Sequence, residues 1–141
     1  MRGIPDESLW LGHAGDVRDL TSLLATGVRA VVDLAWEEPP ASLTRDLAYA
    51  RFPLVDGIGN STWMLRAAIE TSSSLLRSDT PTLIYCSAGM SRSPCIAGAA
   101  LALIRELSAE EALRRVVRSG PADVSPGLWA EVRAVLQSIR G

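Results

Sequence analysis

Lysine is absent from the chain, histidine occurs once and cysteine twice, and no cationic run is longer than the pair Arg114 and Arg115. Fourteen basic residues face sixteen acids, for a net charge of −2 and a pI near 5.4. That balance excludes broad charge-driven binding to nucleic acid or to a membrane surface. The missing lysine is a compositional habit and carries no functional content. Two cysteines, Cys86 and Cys95, are too few for a disulfide framework, and the opening MRGIPDESLW lacks the apolar core of a signal peptide. A reducing, cytoplasmic setting is expected. His13, alone and set among glycines, reads as structural, and one histidine supplies too little for a zinc site or a Cys-His-Asn protease set. No cofactor and no metal are expected. The longest apolar run, Cys95 to Ile104, is too short to span a bilayer and reads as a buried helix. Repeats, low-complexity tracts and linkers are all missing, so nothing marks a domain boundary.

What is present fits one compact domain over residues 1–141. The chain is 48% hydrophobic and 21% charged, and a chain of this length buries about two-thirds of its unfolded surface. Local signals alternate between the strand and helix periods. Leu9 to Gly12 is a short strand, followed by a helix from Asp16 to Ala25 that stops at Gly27. Val28 to Ala35 is β-branched and nearly all apolar, as a strand buried on both faces should be, and EEPP then breaks the chain. Ala48 to Val55 is another strand, and DGIGN a loop ending in a helix N-cap at Asn60. A helix runs from Ser61 to Arg77, and Thr82 to Cys86 is a strand feeding a buried helix from Ser93 to Leu107. SAEE at Ser108 is a capping box with Glu110–Arg114 and Glu111–Arg115 pairs and an apolar stripe of Leu113, Val116 and Val117; Ser125 caps a last helix opened by Pro126. The alternation implies an α/β fold with a mostly parallel central sheet of four to five strands flanked by helices. Ligands bind such sheets at the carboxyl ends of the strands, where Cys86 falls.

The stretch YCSAGMSRSP, residues 85 to 94, places a thiol and a guanidinium at the two ends of a loop of small residues. A loop between a strand and a helix N-terminus offers unpartnered N–H groups and the positive end of the helix dipole, which together hold an anion. Ser87, Ala88, Gly89, Met90 and Ser91 are mostly small enough to curl into a nest for a tetrahedral oxyanion. Arg92 supplies a planar donor pair matched to two phosphate oxygens. The same field favours the thiolate of Cys86, since a thiol at a helix N-terminus beside an arginine loses its proton well below the free value of about 8.5. Covalent catalysis by Cys86 then gives a phosphocysteine, with Ser93 placed to hydrogen-bond the departing thiolate. The leaving alkoxide or phenoxide needs a general acid, for which Asp56 on its glycine-flanked loop is the candidate. Asp33, inside a strand, and Asp79, beside a helix end, are poorer rivals.

Cysteine, five residues, arginine and serine resemble the signature loop of the protein tyrosine phosphatase superfamily, and AGMSRSP is similar to its dual-specificity phosphatase branch. LWLGHAGDVRDLTSLLATGVRAVVDL resembles the opening strand, helix and strand of that family, and Asp56 precedes Cys86 by thirty residues, near the family's acid-to-nucleophile separation. The resemblance implies metal-independent, two-step hydrolysis of phosphate monoesters by a monomer, on a phosphorylated protein or small phosphorylated molecule. It assigns attack to Cys86, phosphate binding to Arg92 and the loop amides, thiolate stabilisation to Ser93, and acid-then-base duty to Asp56.

The sequence departs from the family's pattern in three places. The histidine that usually precedes the nucleophile is replaced by Tyr85, so a less acidic nucleophile is expected. The asparagine often found near DVSPGLWAEV is missing, which touches water positioning in the second step. No basic residue occupies positions 87 to 91, unlike the loops of phosphoinositide phosphatases, so a multiply phosphorylated lipid is disfavoured. Tyr85 also motivates the alternative of a non-catalytic phosphate-binding module, and rhodanese-like or arsenate-reductase-like chemistry is a third class with a cysteine loop ending near arginine. Cys95 lies on the buried helix, with a redox partnership as its one functional option. Trp10, Trp36, Trp63 and Trp129 read as core or rim anchors, with Trp36 and Trp63 bracketing the acid loop.

Overall fold

Period-two alternation along the central strands decides where every catalytic candidate points. A computed structural model describes residues Met1–Gly141. In it Ile84 and Cys86 belong to the large core, and Leu83 and Tyr85 to a smaller core on the opposite face of the sheet. The strands are β1 (Arg2–Gly3), β2 (Leu9–His13), β3 (Ala30–Ala35), β4 (Ala48–Leu54) and β5 (Thr82–Cys86), in the spatial order β1-β2-β5-β3-β4. All neighbours are parallel except the short β1, which pairs antiparallel with β2. Every residue of β3 and β5 is buried, as the two most central strands of a sheet covered on both faces require.

The large core is covered by α2 (Thr62–Arg77), α3 (Arg92–Arg105), α4 (Ala109–Val117) and α5 (Pro126–Arg140). Helix α3 lies at its centre, with eleven consecutive residues from Arg92 to Ala102 buried. Gly98 faces α4, where a Cβ would stand at ordinary contact distance, 3.4 Å, from Leu113 Cα. The other face carries a 3-10 turn at Ala14–Val17, the short α1 (Leu20–Ala25) and the segment leading to Leu47. No helix is long and apolar enough to cross a membrane.

Three local expectations are corrected. The helix expected from Asp16 to Ala25 is split, because His13 and Asp16 cap the 3-10 turn reciprocally and Asp19 then caps α1 by accepting from Ser22 N–H. Asn60 does not cap α2; its side chain accepts from Val55 N–H and donates to Val55 and Gly57 carbonyls, and Ser61 takes the cap position. Glu110 reaches Arg133 on α5 at 3.1 Å in place of Arg114, and Glu111 pairs with both Arg114 and Arg115. Gly27 does end the turn after α1 in the left-handed region, at φ +88°.

Candidate active site

Strand β5 ends at Cys86 and α3 starts at Arg92, so the five residues between them must turn the chain inside a crowded layer. The outer scaffold holds three of the loop's carbonyls. Ser87 O accepts from Ala14 N–H at 3.3 Å, Gly89 O from the Arg2 guanidinium at 3.0 Å, and Met90 O from Asp123 N–H at 2.8 Å. Each N–H of a trans peptide points opposite to the carbonyl before it. The amides of Ala88, Met90 and Ser91 are thereby turned inward, and they donate to no protein group. Ser91 occupies the N-cap position of α3 without a side-chain capping bond, its hydroxyl accepting instead from Ser125 N–H at 2.9 Å. The helix end is left open to an anion. Gly89 has φ +73°, and a Cβ there would lie 2.7 Å from Gly12 O, so two separate reasons require glycine.

Cys86 Sγ sits at the floor of this loop, 2% exposed, accepting from Gly89 N–H at 3.2 Å and 3.4 Å from Ser93 Oγ. Arg92 is as deeply buried, and its partners are fixed. Nη1 and Nη2 donate to the Glu37 carboxylate at 2.7 and 3.1 Å, and Nη1 donates to Leu54 O at 2.9 Å. Its Nε, also buried, has no partner in the protein. An unpaired buried donor on a charged group is costly unless an anion meets it. Partial burial pushes the Glu37 carboxyl up, but hydrogen bonds from Arg92, from Ser87 and from its own backbone, with the Arg92 charge, together hold the group below the usual carboxylate range.

Glu37 is the site residue that the sequence hides. EEPP reads as a chain break, and nothing local announces that its first glutamate will reach an arginine fifty-five positions later. The contact exists because β3 and β5 are neighbours and both end at the same edge of the sheet.

Asp56 follows β4 on an exposed loop that is pinned on both sides. Asn60 ties its base to Val55, Gly59 N–H donates to Glu131 of α5 at 3.1 Å, and Ile58 fills the space left by Gly127, where a Cβ would stand 2.6 Å from it. The Cys95 thiol is pushed up to about 12, first by burial and then by the nearby charges of Asp56 and Cys86. Cys95 is fully buried and neutral; both cysteines are free.

The remaining candidates separate by face. Tyr85 is buried in the smaller core, with burial, the nearby Asp33 carboxylate and Tyr49 pushing its phenol well above the usual range. Asp33 itself is fully buried, accepting from Tyr49 hydroxyl at 2.5 Å and Ala35 N–H at 2.9 Å, away from the nucleophile. His13 Nδ1 accepts from Gly15 N–H, the structural part expected of it. Trp36 and Trp63 are 55% and 67% exposed, beside Glu37 and at the start of α2, whereas Trp10 and Trp129 pack against the two cores.

No protein-family model and no curated protein sequence matches the chain. Solved structures do match it in shape. Human DUSP28 superposes with a TM-score of 0.86 at 24% identity over 99% of this chain and 98% of that one. The human tyrosine phosphatase-like serine/threonine/tyrosine-interacting protein does so at 0.81 and 16%, over 100% and 98%. PTPMT1 in complex with PI(5)P does so at 0.74 and 17%, over 99% and 96%. Sheet order, the loop between β5 and α3, and these superpositions agree that the chain has the dual-specificity phosphatase fold.

Proposed function

We propose that the chain is a metal-independent phosphate monoester hydrolase working through a phosphocysteine, a monomeric dual-specificity protein phosphatase of the cytoplasm. One observation supports the reading: the amides of Ala88, Met90 and Ser91 donate to no protein group, Arg92 Nε is buried without a partner, and Cys86 Sγ accepts from Gly89 N–H within the same loop. Sγ attacks phosphorus as a thiolate, the bond from phosphorus to the ester oxygen breaks, and Asp56 gives its proton to that oxygen. Asp56, now a carboxylate, takes a proton from water as the water oxygen attacks phosphorus. The S–P bond breaks, inorganic phosphate leaves, and Ser93 hydroxyl donates to the returning thiolate. Arg92 and the amides hold the equatorial oxygens throughout, the electrostatic part of the catalysis.

The test is hydrolysis of an aryl phosphate by wild type and by Cys86→Ser. The variant is expected to fall to background while still binding inorganic phosphate; equal rates would remove Cys86 as nucleophile.

A second reading, a phosphate-binding module without turnover, is favoured by Tyr85, whose side chain faces the opposite core and gives the loop no hydrogen bond. It predicts phosphopeptide binding with no phosphate release. A burst of leaving group followed by steady, vanadate-sensitive hydrolysis decides against it.

A further inference from the structure

Of the two arginines that touch the loop, Arg92 is charge-paired and Arg2 is not. Arg2 enters from β1, at the far edge of the sheet from Glu37. Its Nη2 donates to Gly89 O at 3.0 Å and to Pro121 O at 3.1 Å, and its Nε donates to Ser119 Oγ at 3.1 Å. All three acceptors are neutral. The ten ion pairs of the chain use most of its arginines, Arg92 among them, but not Arg2. Gly120 makes room for the side chain, since a Cβ there would stand 2.5 Å from Arg2 Cδ.

We propose that Arg2 is a positioning residue and the second cation of the site: it fixes the Gly89–Met90 peptide so that Met90 N–H faces the anion, and its uncompensated charge favours anions at Cys86. The phosphoryl part of this inference rests on the phosphatase reading; the part concerning the Cys86 thiolate does not.

Two lines of geometry support it. The Gly89 carbonyl has no other hydrogen-bond donor, so without Arg2 that peptide is free to rotate and withdraw an inward amide. The same residue's N–H contacts Cys86 Sγ at 3.2 Å, so a rotation at Gly89 is felt at the nucleophile. Burial lowers the Arg2 pKa, and the nearby Cys86 group partly raises it again. Other charged or titratable groups on the elements packed against the loop are Arg92 with its Glu37 partner, Asp56, buried Cys95, His13 on the paired strand with Asp16 and the terminal ammonium beside it, and Asp123, whose N–H donates to Met90 O.

The experiment follows iodoacetamide alkylation of Cys86 by mass spectrometry between pH 4 and 10, with and without inorganic phosphate, in wild type, Arg2→Met, Arg2→Lys and Gly120→Ala. For Arg2→Met the midpoint of the alkylation profile is expected to move up by about one pH unit. Phosphate protection is expected to need about tenfold more phosphate. Arg2→Lys, which keeps the charge, restores the midpoint but not the full protection, a split that a purely structural role would not give. Gly120→Ala displaces the guanidinium without removing it and moves both readouts in the direction of Arg2→Met; it also serves if Arg2→Met does not fold. Wild-type midpoint and protection in Arg2→Met, or in Gly120→Ala, overturn the inference. Absence of hydrolysis by wild type alongside a shifted midpoint would defeat the phosphatase reading and leave the role of Arg2 standing.

Discussion

At Arg92 two demands compete. The guanidinium must be available to an incoming anion, yet a buried cation with no partner is too costly to keep. Glu37 meets the second demand by taking Nη1 and Nη2, while Nε keeps no protein partner. In Glu37→Gln only one amide oxygen can accept, and the NH2 group opposes the second guanidinium N–H. The expected result is a fall of about tenfold in kcat/KM for an aryl phosphate, the scale of one charge-assisted hydrogen bond; an unchanged kcat/KM would show that Glu37 does not orient Arg92. The same pair has a pH signature. Because Glu37 is held below its unfolded value of about 4.3, its stabilisation is complete above that pH and is lost as pH falls through the folded value. Melting temperatures of wild type and Glu37→Gln are therefore expected to differ near pH 7 and to converge in acid. For Asp56→Asn, kcat on a phosphotyrosine peptide is expected to drop by about 10²-fold or more, the usual scale of general acid catalysis, with loss of the basic limb of the pH profile. An unchanged limb moves the acid elsewhere.

At the scale of elements, α3 is the piece on which the site depends, since it carries Arg92, Ser93 and the open end beneath the loop. It has no polar face to spare over its first eleven residues, and Gly98 sets how near α4 can come. Gly98→Ala adds a methyl at ordinary contact distance and gains helix propensity, so urea unfolding should show it equal to or slightly more stable than wild type. Gly98→Val overpacks against Leu113 backbone and should cost about 1–3 kcal/mol; a neutral Val would mean that α4 shifts freely. Most of this element was readable in the sequence, because Thr82–Cys86 and the apolar stretch beyond it carry strong local signals of strand and buried helix. The turn between them was readable as well, since its residues are adjacent. Two of the three local failures have a common cause, short polar side chains choosing between competing local bonds, and the third is Glu110 taking a tertiary partner, Arg133 of α5. Asp19 and His13 each found a backbone N–H and divided one expected helix, and Asn60 closed the acid loop in place of capping α2. Glu37 and Arg2 were out of reach for another reason, as their partners are assembled by sheet order and not by sequence proximity.

In the whole molecule the candidate residues fall at the carboxyl ends of three parallel strands, Glu37 after β3, Asp56 after β4 and Cys86 at the end of β5, where α/β sheets bind ligands. The surface there has a second property. Seven large hydrophobic residues are exposed on the chain, and five of them, Trp36, Val55, Ile58, Trp63 and Met90, follow those same strand ends. Apolar groups grouped at one end of a molecule mark a binding surface more often than scattered ones do. The loop proposed to hold one tetrahedral anion has no basic residue between Cys86 and Arg92 to hold a second. If these five residues border the proposed phosphate loop as a rim, they favour a phosphate carried on an aromatic or apolar group over one carried on a sugar. Phosphotyrosine peptides and aryl phosphates are accordingly expected to exceed nucleotides, phosphosugars and phosphoinositides in kcat/KM by at least about tenfold, the worth of one buried apolar contact. Trp36→Ala and Trp63→Ala should each raise KM for the phosphotyrosine peptide several-fold with kcat nearly unchanged, the mark of lost uniform binding. Inhibition by inorganic phosphate, which does not reach the rim, should stay as in wild type. Equal turnover of a phosphosugar, or a loss of phosphate inhibition in the tryptophan variants, would show that the rim serves the fold and not the substrate.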